Sequence, residues 1–177
     1  MTSHRTLILL RHAKAESPGT DADKMRALAL RGRTQAHQLG AIFADRQLLP
    51  QRVLCSAALR TRQTWEILSG ALSEAAPDAT PPQTEVLDEL YYSSATVVLE
   101  LVAQYAGDAS TVLVVGHEPV ISMTADYLAA AGSDAAALAQ VQVGVPTASA
   151  CVLTSDAPWS DWQRGIANLT GVLRTAG

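Results

Sequence analysis

The chain carries Leu7-Ile8-Leu9-Leu10-Arg11-His12-Ala13-Lys14, four aliphatic residues that run straight into an arginine and a histidine. A short, continuous apolar run reads as a strand buried on both faces. Such a strand ends where its sheet meets solvent, and in open α/β sheets ligands sit outside the carboxyl ends of the strands. Arg11 and His12 are therefore expected at the mouth of a crevice. A guanidinium offers an oxyanion a planar fork of donors. A neutral imidazole nitrogen is a nucleophile.

Further along, the pattern alternates. Arg5 to Leu10 is the first predicted strand, followed by a polar loop over Ala15 to Met25 that holds Ser17-Pro18-Gly19. A helix is expected from Leu30 to about Asp45, with Ala36, Leu39, Ile42 and Phe43 on one stripe and His37 as a solvated or packed structural histidine. Arg52 to Cys55 reads as a second strand, with Ser56 as the N-cap of a helix over Ala57 to about Leu72. Ala75 to Pro82 reads as a surface loop and Thr84 to Leu87 as a third strand. A helix is expected over Ala95 to Tyr105. Thr111 to Val115 is the clearest strand, β-branched and bounded by Ser110 and Gly116. Pro119 suits the first turn of a helix reaching about Ala131. Ala130 to Leu138 reads as a helix end and a loop. Ser149 to Thr154 and Trp162 to Asn168 read as two strands paired in a hairpin at the sheet edge.

Strands alternating with helices predict an α/β fold, a three-layer α/β/α sandwich whose mostly parallel sheet has an antiparallel edge strand. At 177 residues, with no linker or repeat, residues 1–177 are expected to form a single domain. Hydrophobic residues make up 48% of the chain, enough for a sizeable core, and the formal net charge of −4 argues against nucleic-acid or anionic-membrane binding. Any anion site must be local. Cys55 and Cys151 form no CxxC pair and read as small buried hydrophobes. The N-terminus lacks the form of a signal peptide, and no stretch approaches the ~20 apolar residues of a membrane span, so a cytoplasmic setting is expected.

Three strand-to-helix junctions bring basic residues to one edge of the predicted sheet. The first holds Arg11 and His12, the second Arg60, and the third His117 in Gly116-His117-Glu118-Pro119. Helical side chains lean toward the N-terminus, so Arg60 in a first turn can point back at the crevice. Helix N-termini add free N–H groups and partial positive charge. Each residue alone has an ordinary structural explanation; their convergence makes a site for a phosphoryl group. Lys14 reads as a solvated rim charge.

Leu10-Arg11-His12-Ala13, Ser56-Ala57-Ala58-Leu59-Arg60-Thr61-Arg62-Gln63-Thr64 and Val115-Gly116-His117-Glu118-Pro119 together resemble, in order, the motifs of the histidine phosphatase superfamily, the phosphoglycerate-mutase-like fold. The compact form with Arg-His-Ala-Lys resembles its SixA-type phosphohistidine phosphatases. The resemblance implies that His12 is the nucleophile, passing through a phosphohistidine intermediate. It implies that Arg11, Arg60 and His117 bind the phosphoryl oxygens. Arg26 matches an arginine that lines the pocket in SixA-like members, and Glu89 sits where larger relatives place a general acid. Most relatives have Gly where this chain has Ala13; a glycine there would permit positive φ, so alanine implies an ordinary backbone angle.

The chemistry agrees with these roles. Phosphoryl transfer has a loose transition state with charge on the equatorial oxygens, so positioning and cation clamping carry most of the catalysis. Two guanidiniums clamp without a metal, and the sequence shows neither a P-loop nor the carboxylate cluster of a two-metal phosphatase. No metal or other cofactor is expected. The first reading is a metal-independent phosphatase acting on phosphohistidine in a phosphorylated protein, such as a phosphorelay domain. The alternatives are a phosphomonoesterase of the same family acting on a small phosphate ester, and a non-catalytic phosphate-binding module, for which a nucleophile would be superfluous.

Overall fold

A computed structural model describes residues 3–176. Its centre is a six-stranded sheet in the order β3-β2-β4-β1-β5-β6. The strands are β1 (Arg5–Arg11), β2 (Arg52–Ser56), β3 (Gln83–Leu87), β4 (Thr111–Gly116), β5 (Ser149–Ser155) and β6 (Asn168–Arg174). β1, β2, β3 and β4 pair in parallel; β5 runs antiparallel to both β1 and β6. The reversed strand is thus one in from the edge, and β6 closes the sheet.

The apolar run of β1 is continuous because both faces are covered. Leu7 and Leu9 pack with Leu54, Val112 and Val114 in one core; Ile8 and Leu10 pack with Val53, Leu113 and Val115 in the other. Helices α1 (Leu30–Asp45) and α2 (Leu59–Ala75) cover the second face, while α3 (Ala95–Tyr105), α4 (Val120–Leu128) and α5 (Ala135–Val143) cover the first. Cys55 and Cys151 are buried and unpaired, and burial pushes both thiols up to about 12. Among the described residues no helix is long and apolar enough to cross a membrane.

Three local expectations are corrected. Ser56 is the last residue of β2, not a helix cap; α2 starts two residues later than predicted, after Ala58, which makes no side-chain cap. The stretch read as a loop over Ala130 to Leu138 contains the start of α5, capped by Asp134, whose side chain accepts the Ala137 N–H. The last strand is Asn168–Arg174, not Trp162 to Asn168. Trp159 and Trp162 belong to a 3₁₀ turn and its cap, and their indoles donate to the carbonyls of Ala109 and Ala157.

Candidate active site

The parallel register sets Arg11 beside Gly116 and Ser56 beside Leu87, so β1, β2, β3 and β4 all end at one edge. His12 follows β1 and His117 follows β4, their ring centroids 5.4 Å apart. Arg60 is the second residue of α2 and is only 6% exposed. The structure therefore brings together Arg11, His12, Arg60 and His117. Ala13 is fully buried and lies outside the positive-φ region, in line with its expected backbone angle.

His12 is held at both ends. Its backbone N–H donates to Gly116, and its carbonyl accepts from Ala148. Its Nδ1 lies 2.7 Å from the Ala13 carbonyl. A carbonyl only accepts, so Nδ1 carries the proton and Nε2 keeps its lone pair. Burial depresses the His12 pKa to about 3, with His117, Arg60 and Arg11 adding to the effect. The imidazole is therefore neutral at neutral pH.

His117 is fixed by Ser56, whose Oγ lies 2.7 Å from Nε2. Ser56 is fully buried, and its Oγ already accepts the Ala58 N–H. The hydroxyl proton then goes to Nε2, because a buried hydroxyl with no acceptor is costly. That leaves the proton of His117 on Nδ1, as a neutral donor. Burial, and next Arg60, lower its pKa to about 4.

Asp23, which precedes Arg26 by three residues, completes the basic cluster. Its carboxylate accepts from Arg60 Nη2 and Arg26 Nη2, both at 3.0 Å, and from the Tyr91 hydroxyl. Tyr91, then Arg26 and Arg60, hold this carboxyl well below the usual carboxylate range, and Asp23 in turn pushes the Tyr91 hydroxyl up to about 12. Arg26 thus reaches the site through Asp23. Arg11 donates to the Val145 carbonyl at 2.8 Å, and Glu118 takes the Val145 N–H while bonding Ser122 twice. Glu89 lies in the 3₁₀ turn Asp88–Leu90, exposed and without a side-chain hydrogen bond; its neighbour Asp88 pairs with Lys24. Beside His117 opens a cleft of about 630 Å³ lined by Asp23, Arg60, Tyr91, Tyr92, His117 and Met123 among others; neither His12 nor Glu89 is in its wall.

Sequence reasoning missed Asp23 and Tyr91. Their positions in a loop and a turn, 68 residues apart, gave only one signal, the spacing of Asp23 to Arg26.

The profile of the histidine phosphatase superfamily (branch 1) matches residues 7–78. An uncharacterized protein of Mycobacterium tuberculosis is 35% identical over 163 residues, spanning 92% of this chain and 97% of that protein. A solved structure from Nakamurella multipartitia, assigned as a phosphohistidine phosphatase SixA, is 31% identical with a TM-score of 0.84 and covers 98% of both chains. The chain belongs to the histidine phosphatase superfamily. A second structure assigned as a phosphohistidine phosphatase SixA, from Agrobacterium tumefaciens, is 27% identical with a TM-score of 0.75 over 97% of this chain and 99% of that one. The chain is a histidine phosphatase of the SixA type, and the fold class read from its sequence is that of these relatives.

Proposed function

We propose that this histidine phosphatase removes phosphate from phosphohistidine carried on a protein, through a phosphohistidine formed on His12. One observation carries the reading. Among the described residues, five buried side-chain nitrogen or oxygen atoms lack a hydrogen-bond partner, and three of them are Arg11 Nε, Arg60 Nε and His117 Nδ1. Buried donors without partners are costly. A phosphoryl group beside His12 would satisfy them.

In the first step His12 Nε2 attacks phosphorus, the phosphorus–nitrogen bond to the substrate imidazole breaks, and its electron pair goes to the departing nitrogen. Water then attacks the phosphoryl group on His12, releasing inorganic phosphate and restoring the imidazole. Arg11, Arg60 and His117 hold the equatorial oxygens in both steps. The clamp uses fixed cations and needs no metal. A phosphohistidine protonated on its other ring nitrogen leaves as neutral imidazole, with no proton required from the enzyme. An alkyl phosphate leaves as an alkoxide and needs an acid. Asp23 in the cleft is ionised, and Glu89 is exposed outside its wall.

The cleft itself favours a second reading, a small-molecule phosphomonoesterase, since about 630 Å³ beside Tyr91, Tyr92 and Met123 has room for an organic leaving group. In that reading Glu89 is the proton donor. A panel of phosphohistidine protein, aryl phosphate, sugar phosphates and nucleotides, assayed with wild type, His12→Ala and Glu89→Gln, separates the two. Phosphohistidine is expected to lead in kcat/KM, with Glu89→Gln close to wild type and His12→Ala inactive. An alkyl phosphate in the lead, and a lead abolished by Glu89→Gln, would establish the second reading. A His12→Ala enzyme that still turns over aryl phosphate would remove the nucleophile assignment.

A further inference from the structure

A second pocket opens next to the segment that follows His12. Its volume is about 390 Å³, and Lys14, Arg31 and Arg174 line it with Gln35, Pro146, Thr147 and Thr175. No carboxylate lines it, and none of its three cations forms an ion pair among the described residues. By contrast, Lys24, Arg26 and Arg60 are each paired with Asp23 or Asp88. Three uncompensated cations in one pocket are unusual in a chain of net charge −4, since self-repulsion opposes their gathering.

Their placement is built rather than incidental. Lys14 is two residues from His12, and its backbone N–H is taken by the Gln35 side chain at 2.9 Å. Arg31 lies in the first turn of α1, and the next residue, Gly32, sits so close that a Cβ there would stand 2.0 Å from the Lys14 carbonyl oxygen. Arg174 ends β6 opposite Ser149, and the adjacent Ala148 N–H donates to the His12 carbonyl. The tip of β1, the start of α1 and the end of β6 are thereby tied to the nucleophile. The pocket and the cleft share no lining residue. Both lie at the sheet edge where β1 ends.

We infer that this pocket docks acidic side chains flanking the phosphohistidine of a protein substrate. The inference rests on the phosphohistidine reading above and adds the charge of the substrate surface. The phosphorylated imidazole enters the cleft while carboxylates a few residues away, or on a neighbouring turn, meet Lys14, Arg31 and Arg174. Such rim pairs are individually weak, but three together give roughly tenfold in kcat/KM, mostly through KM and with a steep salt dependence.

Two phosphohistidine peptides test it, one flanked by glutamates and one by lysines, with aryl phosphate as the reference substrate. Wild type is expected to favour the glutamate peptide by about tenfold at low salt, a preference that shrinks as salt rises. The triple variant Lys14→Gln, Arg31→Gln, Arg174→Gln is expected to lose that preference and keep wild-type kcat/KM on aryl phosphate. Equal rates of wild type on the two peptides, or a triple variant that keeps the preference, would overturn the docking inference and leave the phosphohistidine reading standing. A triple variant that loses aryl phosphate activity in the same proportion would also overturn it, since the cations would then act on the reaction centre and not on docking. Wild type active on aryl phosphate but on neither peptide would remove both readings.

Discussion

Two short hydrogen bonds fix the histidine pair as the same tautomer, with the ring proton on Nδ1. Ala13 takes the His12 Nδ1 proton and frees Nε2; Ser56 gives a proton to His117 Nε2 and keeps the His117 proton on Nδ1. Both rings are neutral because burial penalises their charged forms. In the proposed mechanism the first ring serves as the nucleophile and the second as a donor to phosphoryl oxygen. This makes Ser56 a positioning residue, acting through His117. Ser56→Ala removes the bond, so His117 samples both tautomers and spends part of its time with a lone pair facing the oxyanion. With a net hydrogen bond worth about 0.5–1.5 kcal/mol, kcat/KM on aryl phosphate is expected to fall roughly two- to twelvefold, and Ser56→Thr to restore it. The ring-nitrogen NMR shifts of His117 supply a readout that a purely structural role would leave alone. They should report Nδ1–H in wild type and a tautomer mixture in Ser56→Ala; an unchanged spectrum would contradict the assignment.

Elements differ in how plainly the sequence announces them. Helices α1 and α3 have the predicted ends because each carries a clear apolar stripe, including Ala36, Leu39 and Phe43 in α1 and Val98, Leu101 and Val102 in α3. Helix α5 has no such stripe, burying only Ala137 and Val141, and its one signal is the cap at Asp134. β6 hides for a related reason, since of its seven residues only Leu169 is buried, while the more apolar Trp159 and Trp162 upstream draw the eye. The meeting of Arg11, His12, Arg60 and His117 was readable because each stands at or just past a strand end, where chain order alone fixes the edge. Asp23 and Tyr91 were not, because only the folded path of a loop and a turn joins them. Helix packing offers its own test. α1 crosses α2 at Gly40, where a Cβ would stand 2.4 Å from the Ala71 Cβ and 2.8 Å from the Leu72 nitrogen. Backbone cannot yield as a side-chain tip does, so Gly40→Ala is expected to cost about 1–3 kcal/mol despite alanine's better helix propensity. Denaturant unfolding measures this directly; a variant as stable as wild type would mean that the helices part easily.

At the scale of the whole molecule, the site that is neutral for chemistry is a burden in acid. His12 and His117 have folded pKa values of about 3 and about 4, against 6.5 for an unconstrained imidazole. As pH falls through 6.5 the unfolded chain takes up protons at both positions and the folded chain does not. Stability therefore declines with falling pH wherever the unfolded state binds more protons, here from about 6.5 down to the folded values. Well inside that window each such histidine contributes a slope approaching 1.4 kcal/mol per pH unit. Asp23 acts in a lower window: its carboxyl is held below the usual range, so its contribution is present above the unfolded carboxyl pKa and lost only as pH falls beneath it. Between pH 5 and 7 the histidine effect dominates, because the Asp23 window lies at and below the ordinary carboxyl pKa. Denaturant unfolding at pH 7, 6 and 5 is expected to show wild type losing stability steadily across the series. His12→Asn, which fills the space without a titrating ring, is expected to show a shallower slope over the same range. Equal slopes for the two proteins would mean that His12 protonates freely in the fold, and the nucleophile proposed at His12 would not be held neutral by burial.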